Sequence, residues 1–186
     1  MIENIEIIAE VKTKSPYGFR SIRSWDFLLD IANLVGDSIA IHTDPDWGGG
    51  YNLITKARNR TNKFIIAKGI HGTDIHVERA LDAGADYVLV VGRIPYEYMD
   101  RCVIEPLNLN QINFIPASAR VVWNQRDLST GKPKKETFEQ ARAKYRGPLC
   151  QASYISNINN INPRADAVLV GTNLVELARS IGYKIN

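Results

Sequence analysis

Short apolar runs recur along the chain, and most are separated by one amphipathic segment. The runs are "IEIIAEV" (5–11), "SIAIHT" (38–43), "KFIIAK" (63–68), "DYVLVV" (86–91), "RCVIE" (101–105), "ARVVWN" (119–124), "PLCQAS" (148–153) and "DAVLVG" (166–171). Apolar residues at consecutive rather than alternating positions mark strands buried on both faces. "SWDFLLDIANLV" (24–35), "GTDIHVERALDAG" (72–84), "KKETFEQARAKY" (134–145) and "TNLVELARSIG" (172–182) instead carry apolar residues at helical spacing. This order predicts parallel strands closed into a (β/α)8 TIM barrel, with an open doubly wound sheet as the alternative. Two connections are short. "GRIPYEYMDR" (92–101) cannot hold a full outer helix and "SNINNINPR" (156–164) holds about one turn. The fourth outer helix is therefore expected to be missing, its place covered by "IPYEYM" or by a second chain. No linker-like stretch interrupts the pattern, so residues 1–186 are read as one barrel domain.

Composition narrows the function more than the fold. With 186 residues and 45% hydrophobic content, the chain can bury one sizeable core. The net charge of +3 comes from scattered Lys and Arg with no basic run, which argues against a nucleic-acid surface and suits an anionic small molecule. The start "MIENIEIIAE" lacks a basic and apolar leader, and no long apolar run is present, so a cytoplasmic protein without a membrane partner is expected. Cys102 and Cys150 lie in apolar runs without partners at metal spacing and read as reduced core thiols. His42, His71 and His76 share no ligand spacing, so no metal is expected.

A barrel places its chemistry at the C-terminal strand ends. Glu10, Lys12 and Lys14 alternate at the first of these, so all three side chains are expected on one face. The other ends supply Thr43, Asp44, Lys68, Glu105, Asn124, Arg126, Ser153, Gly171 and Thr172. Each alone has an ordinary reading, such as an exposed strand face, a lysine reaching solvent or a helix start. Their convergence on one mouth argues for chemistry. Trp47 and Ile70 are candidates for an apolar slot or for plain packing.

In order along the chain, "IAEVKTKSP" (8–16), "HTDPDWGGG" (42–50), "FIIAKGI" (64–70), "ALDAGADYVLVV" (80–91), "VIE" (103–105), "NQRDL" (124–128) and "ADAVLVGTNLV" (165–175) resemble the indole-3-glycerol phosphate synthase family of tryptophan biosynthesis. The resemblance implies a lyase without metal or organic cofactor. Its substrate, 1-(2-carboxyphenylamino)-1-deoxyribulose 5-phosphate, closes onto its aromatic ring, then loses carbon dioxide and water. By that resemblance Lys68 is the general acid and Glu105 the general base. Lys12 contacts substrate and aids proton transfer, Glu10 holds that lysine, and Asn124 and Arg126 orient the substrate and meet its carboxylate. Lys14, Ser15, Ser153, Gly171 and Thr172 fall where the family binds substrate or phosphate, and the apolar slot would take the anthranilate ring.

The chain also departs from the family. The helical extension that the family carries ahead of the first strand is expected to be missing, Gly69-Ile70 replaces an acidic and an aromatic residue, and Ala152 and Tyr154 replace a glutamate and a glycine. Tyr154 is expected to keep φ below zero and turn its ring aside from the phosphate. These departures keep open a non-catalytic relative that binds a phosphosugar or a partner. A phosphoribosylanthranilate isomerase-like enzyme lacks support, because its Cys and Asp pair is not reproduced at the strand ends. The expected partner is a phosphorylated small molecule, and the expected state a monomer or weak homo-oligomer.

Overall fold

A computed structural model describes residues 5–185; residues 1–4, part of the segment read for a leader, and residue 186 lie outside the described residues. Eight parallel strands, β1 (Glu6–Val11), β2 (Ser38–His42), β3 (Phe64–Lys68), β4 (Tyr87–Val91), β5 (Cys102–Glu105), β6 (Arg120–Asn124), β7 (Leu149–Ala152) and β8 (Ala167–Val170), follow one another around a closed barrel. β1 pairs with both β2 and β8, which excludes the open sheet. Outside lie α1 (Trp25–Val35), α2 (Tyr51–Arg58), α3 (Asp74–Asp82), α4 (Leu109–Ile112), α5 (Phe138–Lys144) and α6 (Leu174–Ser180).

Local chemistry sets the helix limits. Ser24 caps α1 by accepting the Phe27 N–H, and the helix buries Leu28, Leu29, Ile31, Ala32 and Val35 against the barrel. α5 begins later than its apolar spacing predicts, because Thr137 and Gln140 form a capping box and residues 134–137 belong to the preceding loop. α2 and α4 are additions to the sequence-based pattern. α2 buries only Ile54 and Ala57, too thin a stripe to show a period, and α4 is a single turn capped by Asn108.

The fourth outer helix is absent as expected. Only a 3-10 turn, Met99–Arg101, stands between β4 and β5, and another, Ile158–Asn160, between β7 and β8. Within "IPYEYM", Pro95 is buried and Tyr98 and Met99 pack onto the flanking core clusters, while Ile94, Leu107 and Phe114 stay exposed beside them.

The barrel interior is filled by inward residues that include Ile8, Ala40, Ile66, Val103, Val122, Cys150 and Leu169. Both cysteines are buried and unbridged, and burial pushes the Cys102 thiol up to about 11. Side chains two residues further along a strand share its inward face. That rule places Glu10, His42, Lys68, Glu105, Asn124 and Gly171 as the next ring, at the C-terminal end. Strand pairing sets His42 beside Lys68 and Asn124 beside Ala152. This ring is the floor of the mouth.

Candidate active site

Glu10 is the hub of the ring. It is only 3% exposed, and its Oε1 accepts from His42 Nε2 at 2.7 Å and from Lys68 Nζ at 3.2 Å. Burial alone would raise the carboxyl, but the Lys68 and Lys12 cations and the His42 hydrogen bond outweigh it and hold Glu10 well below the usual carboxylate range. It is an anion at neutral pH. Burial likewise lowers the Lys12 ammonium, with Lys68 and Arg126 adding to the effect and Glu10 opposing it. A buried ion pair adds little net stability over well-packed apolar residues, so its presence at a barrel mouth points to chemistry.

Across the ring, Glu105 accepts from Asn124 Nδ2 at 2.9 Å. Asn124 Oδ1 in turn accepts the Ser153 hydroxyl at 2.7 Å and the Arg126 N–H at 3.0 Å, which fixes the amide. Glu105 is buried, and burial raises its carboxyl despite the Lys68 cation and the Asn124 hydrogen bond. The two glutamates of one ring are thus pushed in opposite directions, one held well below and one raised above the ordinary carboxylate range.

Two hollows adjoin over this floor. One, of about 620 Å³ with open solvent included, is bordered by Lys12, Tyr17, Arg126, Ser153, Tyr154, Gly171 and Thr172. The other, of about 330 Å³ on the same measure, is bordered by His42, Ile70, Leu89, Val91 and Glu105. Trp47, Lys68, Asn124 and Leu128 border both. Trp47 and Ile70 thus border one hollow together, with Leu89 and Val91, and Glu105 borders it too.

Not every expected residue reaches the mouth. β1 ends at Val11, and the chain turns into a hairpin in which Lys14 bridges Arg20 and the Ser15 N–H donates to the Phe19 carbonyl. Lys14 and Ser15 therefore border neither hollow, because the strand alternation that would align Lys14 with Glu10 has already stopped. Tyr154 also departs from expectation. Its φ is +59° and that of Ser153 +72°, a left-handed pair that costs non-glycine residues about 1–2 kcal/mol each. Contacts hold the pair: Gln125 Nε2 donates to the Ser153 carbonyl at 2.9 Å, and the Tyr154 ring lies 4.7 Å from the Arg126 guanidinium. Arg126 also faces Tyr17 at 5.7 Å and donates to the Gly131 carbonyl at 2.6 Å.

Two further residues belong to the site. Tyr17 donates to the Leu128 carbonyl at 2.6 Å, tying the β1–α1 loop to the loop after β6 across the mouth. His42, without a role in the sequence reading, touches Glu10 directly and stacks on Trp47 with ring centroids 5.8 Å apart. The parity of β2 carries the signal, since His42 lies two residues beyond inward Ala40, whereas Thr43 does not.

Burial first, then the Lys68 cation, lower His42 from 6.5 to about 4, so the ring is neutral and Nε2 donates to Glu10. Below pH 6.5 the unfolded chain takes up a proton that the folded chain refuses until about pH 4. Stability present above that window is lost as pH falls through it, by at most about 3 kcal/mol. Melting temperature measured against pH is expected to drop across the window for the native protein and to drop less for His42→Asn; parallel curves would show that His42 titrates normally.

Among the described residues no helix is long and apolar enough to cross a membrane, and no group of three or more His, Cys, Asp or Glu could hold a metal ion. No protein-family model matches the sequence. Among solved structures, the crystal structure of 3-hexulose-6-phosphate synthase superposes with a TM-score of 0.61 at 17% identity, over 94% of this chain and 100% of that one. At so low an identity the likeness carries the TIM-barrel fold and nothing finer.

Proposed function

We propose that the chain is an indole-3-glycerol phosphate synthase-like carbon–carbon lyase (carboxy-lyase), acting on 1-(2-carboxyphenylamino)-1-deoxyribulose 5-phosphate without metal or organic cofactor. The observation that carries this reading is the pairing of Lys68, bonded to an anionic Glu10, with the raised carboxyl of Glu105 on the hollow that Trp47 and Ile70 also border. The hollow shared by Trp47 and Ile70 suits the anthranilate ring, and the adjoining hollow beside Lys12 and Lys68 suits the ribulose chain. Lys68 would give a proton to the ribulose carbonyl oxygen as the aromatic carbon attacks it. Breaking the bond to carbon dioxide returns its electron pair to the ring system. The new hydroxyl then leaves as water with a proton supplied by a lysine, for which Lys12, lowered by burial, is suited. Glu105 takes the proton whose loss completes the indole. Glu10 and Asn124 hold Lys68 and Glu105 in place, and the remaining N–H groups of Arg126 are available to the substrate carboxylate.

The test is the fluorescence of indole-3-glycerol phosphate formed from this substrate after dialysis against a chelator. Product formation supports the lyase. Substrate binding without product supports instead the non-catalytic relative, which the crowding of Arg126 by Tyr17 and Tyr154 favours. We further propose that the protein works as a monomer or weak homo-oligomer.

A further inference from the structure

Gly171, at the end of β8, borders space on two sides. Toward the barrel axis it lies against Glu10, so closely that a Cβ there would stand 2.6 Å from the Glu10 Cδ. An anion on that edge would sit beside a buried negative charge. Of the cations bordering that edge, Lys68 is bonded to Glu10, Arg126 donates one N–H to the Gly131 carbonyl between two tyrosine rings, and Lys12 borders the outer cleft as well.

On its other side, Gly171 and Thr172 border a separate cleft of about 670 Å³, open solvent included, between the β1–α1 loop and α6. Arg20, Arg23 and Arg179 line it together with Lys12, against one carboxylate, Glu176. The loop backbone is fixed beside the cleft: the Ser21 N–H donates to the Thr13 carbonyl at 2.7 Å, and the Ser21 hydroxyl accepts the Arg23 backbone N–H at 3.0 Å. Arg23 stacks on Phe27 at 4.8 Å. Among the described residues, neither Arg20 nor Arg23 has a carboxylate at salt-bridge distance. Like charges gathered in one concavity repel until an anion offsets them, and guanidinium groups match the oxygens of a phosphate.

We propose that this outer cleft, rather than the edge at Ser153, seats the phosphate of a phosphorylated small molecule, with Arg20 and Arg23 as its main donors. Lys12, Gly171 and Thr172 border both spaces, which places the outer cleft next to the mouth. The assignment rests on the reading of the mouth as a phosphosugar site.

Calorimetric titration of inorganic phosphate at fixed ionic strength tests it on the native protein, Arg20→Ala/Arg23→Ala, Ser153→Ala and the distant surface variant Arg146→Ala. Arg20 and Arg146 are exposed and Arg23 is half-buried, and melting curves check that each variant folds. Binding is expected to weaken at least about tenfold in the double variant only. No phosphate binding by the native protein, equal weakening by Arg146→Ala, or weakening confined to Ser153→Ala would overturn the cleft. Turnover separates the two claims. An unchanged KM in the double variant of an active enzyme sinks the cleft alone, whereas a native protein that binds phosphate here but makes no product sinks the lyase alone.

Discussion

Lys68→Ala and Glu105→Gln are each expected to lower turnover of the anthranilate-linked substrate by at least about a hundredfold, the usual worth of a positioned proton-transfer group. Their effects on folding should differ, and that difference is the informative part. Glu105→Gln preserves shape and still offers an oxygen to Asn124 Nδ2, while removing a charge that burial already disfavours. Its melting temperature should stay level or rise. Lys68→Ala removes a cation that keeps the buried Glu10 ionised, so some stability is lost along with activity. The pH profile adds a check. A raised Glu105 carboxyl must lose its proton to act as a base, so kcat/KM should fall as pH drops through a range above that of ordinary carboxylates, and this acidic limb should vanish in Glu105→Gln. Equal losses of activity and melting temperature in Glu105→Gln would make the residue structural.

What the sequence disclosed follows from the physics of a parallel barrel. Strands covered on both faces must be apolar at successive positions, so β1 to β8 stood out, and the short β4–β5 connection ruled out a helix by length alone. Glu10, Lys68, Glu105 and Asn124 were legible as polar ends of apolar runs, because burying such groups together is costly unless they serve one another. Lys14 misled because alternation holds only while the backbone is extended, and hydrogen bonds of a following hairpin decide where that stops. Tyr154 misled because its left-handed backbone is stabilised by Gln125 and Arg126 from the loop after β6, distant in sequence. α2 stayed hidden because two buried residues satisfy it. His42 was legible in principle, by parity from Ala40, once its strand register against Lys68 was known.

Gly171→Ala is expected to damage the site through Glu10 rather than through the backbone. Gly171 does not have a positive φ, so alanine is conformationally acceptable there. Its Cβ would meet the Glu10 side chain, with Cδ at 2.6 Å and Cγ at 3.1 Å. A flexible surface carboxylate would swing away at little cost. Glu10 cannot, because His42 and Lys68 hold it in a buried ring. Displacing it strains or breaks those bonds, and overpacking of this kind costs about 1–3 kcal/mol. It would also loosen Lys68, so turnover in an active enzyme should fall at least about tenfold with the lysine still present. A double-mutant cycle isolates the cause. If the damage runs through the carboxylate, Gly171→Ala should cost little further stability in a Glu10→Ala background, where the space is vacant. Strict additivity of the two changes would show that alanine harms β8 by another route, and that Gly171 is not the residue that makes room for Glu10.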